Sequence, residues 1–252
     1  MQRSIDFNCD VGESFGAWRM GDDAALLKFA SSANIACGLH AGDPVVIQQT
    51  VALCQQQGVA IGAHPGLPDL QGFGRRTMAL SDNEIYALVL YQIGALAGFV
   101  RAAGGELRHV KPHGALYHMA NACLRTAEAV SDAVRAFSPH LKLYALAHAG
   151  LAETARLRGL HVIDEAFAER RYEADGSLTP RSHPDAEIHD VASATQQVVQ
   201  LLTAGAVTAR TGERLPMTAR SICLHGDRPN AVAFAGSLRA AIEGAGWRVA
   251  PP

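Results

Sequence analysis

The sequence lacks any strong excess of charge. Its 252 residues include 22 Lys and Arg and 24 Asp and Glu, so the formal net charge is −2 with histidine neutral. Proteins that bind nucleic acid or anionic lipid through surface charge carry a basic face or stripe. We therefore expect no nucleic-acid or membrane partner, and we expect a small-molecule ligand.

Long hydrophobic runs are also lacking. Hydrophobic residues make up 48% of the chain, but no uninterrupted run approaches the ~20 residues that a transmembrane helix needs. The opening segment, MQRSIDFNCDVGES, carries polar and acidic residues where a secretory signal requires an apolar block. We expect no membrane helix and a cytoplasmic location.

Several motifs of metal, redox and nucleotide sites are missing. The chain has neither a GxxxxGK(S/T) phosphate loop nor a GxGxxG dinucleotide fingerprint. We also expect no serine-hydrolase nucleophile elbow. Its five cysteines are widely spaced and form no CxxC pair, so we expect free, mostly buried thiols. They are Cys9, Cys37, Cys54, Cys123 and Cys223.

What the sequence does contain is a regular alternation of strands and helices. Short β-rich runs lie at residues 4–9, 33–37, 59–63, 107–111, 141–146, 161–166 and 221–224. Segments with helical periodicity lie at residues 22–30, 44–57, 81–103, 126–136, 150–158, 190–204 and 228–245. Alternation of this kind is typical of a parallel α/β fold, and seven units predict a closed or nearly closed barrel. We expect one domain over residues 1–252.

Two segments interrupt the alternation. Residues 172–187 contain an Asp-Gly pair and two prolines, which indicates an ordered excursion or a lid loop. Residues 206–218 predict a hairpin that turns at Thr211 and Gly212.

Polar residues and glycines cluster where the predicted strands end. The clusters are NCDVGE (8–13), CGLHAGD (37–43), GAHPGLPD (62–69), VKPHGALY (110–117), DEAFAERRY (164–172) and LHGDRPN (224–230). The carboxyl ends of parallel barrel strands meet on the face that carries the active site. We therefore expect these clusters to surround one pocket.

Four histidines belong to these clusters: His40, His64, His113 and His225. A lone histidine at such a position is usually a satisfied structural residue. Four at equivalent ends of different strands favour a role in the pocket.

The first strand places Asp6, Asn8 and Asp10 on one face, because side chains alternate along a strand. Carboxylates at this spacing suit metal binding, general-base chemistry or the orientation of a histidine. For Asp6, an ion pair with a core Lys or Arg is the alternative.

Three basic residues complete the candidate set. Lys111 points to the same side as His113, and a buried lysine requires a partner, for which Glu165 and Asp227 are candidates. Arg75 and Arg76 follow two glycines in GFGRR and suit a clamp on a carboxylate or phosphate. A surface ion pair is the alternative for one of the two arginines.

Six motifs resemble the LamB/YcsF family, in the same order and over about residues 5–246. They are DFNCDVGESFG (6–16), NIACGLHAGDP (34–44), IGAHPGLPDLQGFGRR (61–76), YQIGAL (91–96), VKPHGALYH (110–118) and ICLHGD (222–227). One departure lies at residues 167–172, where the family usually reads Phe-Ala-Asp-Arg-x-Tyr and this chain has Glu169 before Arg170. Arg170 therefore carries over more readily than Glu169.

The resemblance implies a distorted seven-stranded parallel β/α barrel, similar to the glycoside hydrolase/deacetylase group of folds. It also implies the A subunit of an ATP-dependent 5-oxoprolinase, which works with subunits B and C. Such an enzyme opens the lactam of 5-oxo-L-proline to L-glutamate while ATP is hydrolysed. Because the chain has no phosphate loop, we expect ATP to be bound mainly through the partner subunits.

Under that hypothesis, Asp10 or His113 is the general base, and Lys111 and His225 stabilise the oxyanion, with Asp227 as a further catalytic carboxylate. The expected substrate-binding residues are Asn8, His40, His64, Arg75, Arg76, Glu165 and Arg170. One alternative is a stand-alone metal-dependent amidohydrolase or deacetylase, for which the candidate ligands are Asp6, Asp10, His40, His64 and Asp227. The other is a lactam-binding subunit without catalytic activity.

Overall fold

The structure, a computed structural model, describes residues 3–227 and 230–252. Its strands within these ranges are β1 (Ser4–Val11), β2 (Ser32–Ala36), β3 (Ala60–His64), β4 (Leu107–Val110), β5 (Lys142–Leu146), β6 (His161–Phe167), β7 (Ala206–Thr208), β8 (Arg214–Pro216), β9 (Ser221–His225) and β10 (Arg248–Val249). Strands β1 to β6 and β9 are parallel neighbours, and β9 also pairs with β1. The sheet closes on itself, which confirms the seven-stranded parallel barrel.

Helices surround this barrel. In the described residues they are α1 (Asp23–Leu26), α2 (Pro44–Gln57), α3 (Asp82–Ala102), α4 (Gly114–Ala122), α5 (Leu124–Phe137), α6 (Gly150–Leu157), α7 (Val191–Ala204) and α8 (Ala231–Gly244). The sequence pattern missed α4. The predicted helix at 228–245 and the cluster at 224–230 both include Arg228 and Pro229, which lie outside the described residues.

Local sequence signals explain where several helices begin and end. Ser81 and Glu84 form the predicted capping box at the start of α3. Asp43 accepts hydrogen bonds from the backbone amides of Val45 and Val46 at the start of α2, and Gly58 ends that helix in the left-handed conformation with φ 68°. These caps satisfy backbone groups at the helix ends that have no partner within the helix.

The two faces of β1 show how the barrel separates its core from its site. Phe7, Cys9 and Val11 are buried in the apolar core of the protein. Asp6 and Asp10 have the opposite parity and belong to the polar network inside the barrel, where they accept hydrogen bonds from Ser32 and Asn34 of β2. Hydrogen-bonded polar groups fill the barrel interior, and this network holds the titratable side chains at the carboxyl ends of the strands.

The excursion at 172–187 is ordered, as expected. Its ends are fixed by backbone bridges between Arg170 and Glu187 and between Tyr172 and Leu178. The Tyr172 hydroxyl also accepts a hydrogen bond from the backbone amide of Phe167 at 2.8 Å. Leu178 and Arg181 from this excursion line the mouth of the barrel. The predicted hairpin is confirmed by antiparallel β7 and β8.

Helix α3 is long and apolar enough, by length and composition, to cross a membrane, since an 18-residue window of it reaches a mean hydropathy of 1.5. In this fold it belongs to the outer layer of the barrel, and Val89, Ile93 and Leu96 on one face are buried in the core. The five cysteines are free thiols, and all but Cys123 are buried, as predicted.

Candidate active site

The carboxyl ends of the barrel strands meet in one narrow pocket. Strands β1, β3 and β9 bring Asp10, His64 and His225, and the segment after β4 brings Lys111 and His113. Further lining comes from Arg75, Tyr117, Phe167, Arg170 and Arg181, among others. The structure therefore gathers candidates that are separated by more than 200 positions in the chain.

Lys111 lies at the centre, buried beneath the pocket. Its ammonium nitrogen is 3.1 Å from Asp10 Oδ1, 3.1 Å from Asn8 Oδ1, 3.0 Å from Glu165 Oε1 and 2.8 Å from Cys223 Sγ. Burial opposes its charge, but Asp10, Cys223 and Glu165 raise the pKa of Lys111 well above its ordinary value. Of the two partners expected from the sequence, the structure brings Glu165 to Lys111 and takes Asp227 elsewhere.

Asn8 and Glu165 lie below the pocket in the same network. The Asn8 amide donates to Glu165 Oε1 at 2.9 Å, and the Tyr117 hydroxyl donates to Glu165 Oε2 at 3.1 Å. The Asn34 amide donates to Asn8 Oδ1 at 2.7 Å. Both predicted substrate-binding residues are fully buried. Their position suits the fixing of Lys111 and Asp10 better than direct contact with a ligand.

Asp10 is held as an anion at the floor of the pocket. Its Oδ1 accepts from the Asn34 amide at 2.8 Å and from Lys111, and its Oδ2 lies 3.3 Å from His64 Nε2 and 3.8 Å from His225 Nε2. Burial alone would raise its pKa, but the interactions with His64 and Lys111 outweigh burial and lower the pKa of Asp10 well below its usual value. Such a carboxylate is a weak proton acceptor near neutral pH.

His225 is oriented by a carboxylate that the sequence had given little weight. Buried Glu169 accepts hydrogen bonds from the His225 backbone amide at 3.0 Å and from its Nδ1. The Nε2 is left facing the pocket, 3.5 Å from the Arg181 guanidinium, and the ring stacks on Phe167 with centroids 5.8 Å apart. A histidine that is oriented at one nitrogen and faces the pocket with the other is typical of an acid or base.

Three further histidines pack together beside Asp10. His64 Nε2 and His113 Nδ1 are 2.9 Å apart, and the rings of His40 and His113 stack with centroids 3.8 Å apart. Glu13 Oε1 lies 3.9 Å from both His40 Nε2 and His113 Nδ1. Burial, with charged neighbours, raises the pKa of Glu13 well above its ordinary value and lowers that of His40 well below.

Among the described residues, two groups of side chains have ligand atoms close enough to hold a metal ion. One is Glu13, His40, His64 and His113, and the other is Asp10, Cys223 and His225, each with its ligand atoms within 4.8 Å of one another. The Lys111 ammonium lies between Asp10 and Cys223, so its charge would repel a cation at the second group. The first group is the better candidate.

The two arginines of the GFGRR segment have different surroundings. Arg75 donates to Asp227 Oδ2 at 2.6 Å, and its guanidinium lies over the Phe73 ring, 4.8 Å from the centroid. Asp227 is partly buried, which alone would raise its pKa, but His225 and Arg75 lower the pKa below its ordinary value. Arg76 forms an ion pair with Asp69, and its side chain is 64% exposed. The structure brings Arg75 to the pocket and leaves Arg76 in a surface ion pair.

Asp6 lies at the opposite end of the barrel interior, away from the histidines. It accepts hydrogen bonds from the hydroxyls of Ser31 at 2.7 Å, Ser32 at 2.6 Å, Tyr144 at 2.9 Å and Ser221 at 2.5 Å. Burial raises its pKa above the ordinary value despite these bonds. Asp6 therefore belongs to neither metal-binding group, and hydroxyls rather than a Lys or Arg satisfy it.

We expected no nucleophile elbow, but the sequence does contain its GxSxG pattern, at residues 12–16 (GESFG). In an elbow the serine stands between a strand and the helix that follows. Here Ser14 Oγ instead accepts a hydrogen bond from the Met20 amide at 3.0 Å within a loop. Phe15 and Trp18 of that loop pair through their backbones. The arrangement does not present Ser14 as a nucleophile.

Sequence reasoning missed several residues of the site. Glu13 lies in the first polar cluster but outside the alternating set of β1, so parity did not select it. Arg181 belongs to the excursion, and Tyr117 to the unpredicted helix α4. Arg170, which was expected in the site, is buried beside the pocket, where its guanidinium donates to the Thr179 carbonyl at 2.6 Å.

Comparisons with known proteins agree with this architecture. Residues 5–252 match the LamB/YcsF family. The chain is 56% identical over 250 residues to the 5-oxoprolinase A subunit of Methylococcus capsulatus, covering 99% of this chain and 96% of that protein. It is 49% identical over 245 residues to the 5-oxoprolinase A subunit of Bacillus subtilis, covering 97% and 95%. The crystal structure of a lactam utilization protein from Thermus thermophilus is 47% identical, has a TM-score of 0.93 and covers 98% of this chain and 99% of that one.

Proposed function

The chain belongs to the LamB/YcsF family, and on that premise we propose that it is the A subunit of an ATP-dependent 5-oxoprolinase. Together with subunits B and C it opens the five-membered lactam of 5-oxo-L-proline to give L-glutamate. The names of its relatives, at 49–56% identity over nearly the whole chain, support this proposal. The word subunit in those names supports a multi-subunit assembly.

One observation supports a catalytic role for this chain: His225 pairs with Glu169 in a pocket that the guanidinium groups of Arg75 and Arg181 also line. 5-Oxoproline has one carboxylate and one planar amide. Arg75 and Arg181 line the pocket and suit the carboxylate, because guanidinium groups bind carboxylates through two donors. His225 Nε2 faces the same space and suits the amide. The pocket thus offers a group for each end of the substrate.

Ring opening requires water to attack the lactam carbonyl carbon, after which the carbon–nitrogen bond breaks and the nitrogen takes a proton. A lactam is stable, so the carbonyl needs activation, and phosphorylation of its oxygen with ATP would supply it. Breakage of the carbon–nitrogen bond then leaves an acyl phosphate, and a second water hydrolyses it to the product carboxylate and inorganic phosphate. His225, oriented by Glu169, accepts the proton of the attacking water and returns it to the leaving nitrogen. Asp10 provides a fixed negative charge beside that histidine.

This assignment modifies the roles expected from the sequence. Both ring nitrogens of His113 have neighbours within 2.9 Å, so it is not an open base. The Lys111 ammonium has three protons and four acceptors at 2.8–3.1 Å, so it has none left for a substrate oxyanion. We propose that Lys111 positions Asp10 and that His225 carries the proton transfer.

The binding of ATP is assigned to the partner subunits. The chain has no phosphate loop, and its pocket is narrow. We propose that subunits B and C bind ATP and generate the activated lactam, which this chain hydrolyses. The alternatives, a stand-alone metal-dependent amidohydrolase and a lactam-binding subunit without activity, draw no support from the names of the relatives.

The test is reconstitution of the chain with its B and C subunits and measurement of ATP-coupled glutamate formation. His225→Gln should lower kcat at least about 100-fold, the lower end of what general acid–base catalysis contributes. Arg75→Gln should raise KM for 5-oxoproline, and the exposed control Lys28→Met should leave both constants unchanged. Full activity of His225→Gln would refute the catalytic assignment. Activity of the chain alone on simple amides would favour the amidohydrolase, and turnover by B and C without it would favour the lactam-binding subunit.

A further inference from the structure

Four consecutive barrel strands bring one carboxylate and three imidazoles together beside the pocket. Glu13 follows β1, His40 follows β2, His64 ends β3 and His113 follows β4. All four side chains are buried, and one ligand atom from each lies within 4.8 Å of the others. We call them the three-histidine cluster. The proposed ring opening uses none of the four as an acid or base.

The hydrogen bonds of His64 and His113 determine which of their ring nitrogens carry protons. His64 Nδ1 is 2.7 Å from the Lys111 carbonyl oxygen, and His113 Nε2 is 2.7 Å from the Phe73 carbonyl oxygen. A carbonyl oxygen only accepts, so both of these nitrogens are donors. In neutral rings the other two nitrogens then carry lone pairs, and these two are the atoms that face each other at 2.9 Å. A positive species must lie at this point.

The positive species could be a proton or a metal ion, and the surroundings of His40 distinguish the two. Among the described residues, neither ring nitrogen of His40 has a hydrogen-bond partner, although the ring is fully buried. A buried polar group without a partner is costly. One proton between His64 and His113 would leave His40 unpartnered, whereas a cation would also take up His40 Nε2, which faces Glu13 at 3.9 Å.

We propose that Glu13, His40, His64 and His113 bind a divalent transition-metal ion. Three imidazoles and one carboxylate are a donor set that suits Zn²⁺ and its neighbours in the first transition row, rather than Mg²⁺ or Ca²⁺. The backbone carbonyls that accept from His64 and His113 match the usual support of metal-binding histidines, whose second ring nitrogen donates to such a group. Tetrahedral ligation needs about 3.3 Å between nitrogens, so the 2.9 Å pair opens by a few tenths of an ångström on binding.

Two glycines make room for this cluster. A Cβ at Gly66 would lie 2.4 Å from His40 Nδ1, and a Cβ at Gly74 would lie 2.7 Å from His40 Cβ and 3.0 Å from His113 Cδ2. Gly74 also has φ +63°, a conformation that other residues rarely adopt. His40 Nδ1 therefore lies against the backbone at Gly66, and its Nε2 faces Glu13.

The test measures metal binding by the isolated full-length chain, without substrate, ATP or partners. Protein purified without chelator is analysed for metal content, and chelator-treated protein is titrated with Zn²⁺ by calorimetry and with Co²⁺ by visible absorption. We expect about one equivalent of metal and an intense Co²⁺ spectrum typical of four-coordinate nitrogen and oxygen ligation. Because the assay needs no turnover, its failure and the failure of the proposed function are distinguishable.

Variants assign the ligands. Loss of a group that only orients a ligand costs about 10–100-fold in affinity, so His40→Ala and Glu13→Gln should each weaken Zn²⁺ binding at least about 100-fold. The exposed histidine variant His140→Ala should bind as the wild type does. Zn²⁺ should raise the Tm of the wild-type chain and not that of His40→Ala, which reports on binding even where a variant is less stable. Absence of Zn²⁺ and Co²⁺ binding by the wild type, or equal binding by all variants, would overturn the proposal in favour of a protonated histidine pair.

Discussion

Replacement of the buried lysine at the centre of the site should reduce the stability of the whole barrel. Lys111 is the cation that balances Asp10 and Glu165, at 3.1 and 3.0 Å, and all three side chains are buried. Lys111→Met has a similar volume but leaves both carboxylates buried without that counter-charge. Breaking a buried ion pair by removing one partner costs about 3–5 kcal/mol, and we expect a loss in this range.

The assay is equilibrium unfolding in urea at pH 7, followed by circular dichroism, with the free energy of unfolding obtained by linear extrapolation. The matched control is Lys28→Met, because Lys28 is exposed, and it should change stability by less than about 0.5 kcal/mol. Since a domain is stable by only about 5–15 kcal/mol, the effect of Lys111→Met will be large if the ion pairs are as described.

A second substitution tests the cause rather than the size of the effect. Glu165→Gln removes one of the two charges that Lys111 balances, keeps an oxygen that can accept from the Asn8 amide, and places its NH2 where it can donate to the Tyr117 hydroxyl oxygen. The double variant Lys111→Met/Glu165→Gln should lose less unfolding free energy than the two single variants lose together, and the difference should be about 1–3 kcal/mol. A loss below about 1 kcal/mol for Lys111→Met, or strictly additive losses in the double variant, would refute the electrostatic explanation.

Three further predictions concern the barrel and its helices. Burial lowers the pKa of His109 from 6.5 to about 3, so the unfolded chain binds a proton between these pH values that the folded chain does not. Stability therefore falls as the pH falls from 6.5 to 3, and His109→Gln should flatten the slope of unfolding free energy against pH in urea titrations by up to about 1.4 kcal/mol per unit. Gly62→Ala should lower the Tm, because its Cβ would lie 2.0 Å from the His109 ring. Gly98→Ala on α3 should raise the Tm, because a Cβ there meets no atom within 4 Å and alanine favours the helix. A higher Tm for Gly62→Ala than for Gly98→Ala would contradict the packing. Ser81→Ala should cost about 1 kcal/mol in thermal unfolding, because it removes the capping box with Glu84, and a neutral result would show that the cap contributes nothing to α3.

The sequence predicted where the candidate site lies in the fold better than it predicted which side chains of the site contact one another. Periodicity and polar clusters located the strands and identified the ends of β1, β3 and β9 as the site, because alternation and turn chemistry are local properties of the chain. The family motifs added the expected activity. None of these signals states which side chains touch, since contacts such as Arg75 with Asp227 join residues 152 positions apart.

Asp6 and Asp10 illustrate the limit. Alternation correctly gave them the same face of β1, but they are four residues apart, which at about 3.3 Å per residue separates them by about 13 Å along the barrel. One therefore lies among hydroxyls at the far end and the other at the mouth beside Lys111. Parity gives the face of a strand, whereas depth in the barrel depends on the register of its neighbours.

The sequence by itself thus determined the order of the seven barrel strands and of every helix but α4, the closed barrel and the end of it that carries the titratable groups. Only the tertiary structure decided that Lys111 pairs with Glu165 rather than Asp227, that Glu169 orients His225 and that Glu13 joins the three-histidine cluster. The physical reason is that these contacts form where strands distant in the chain come into register, and burial there gives each of them its energetic weight.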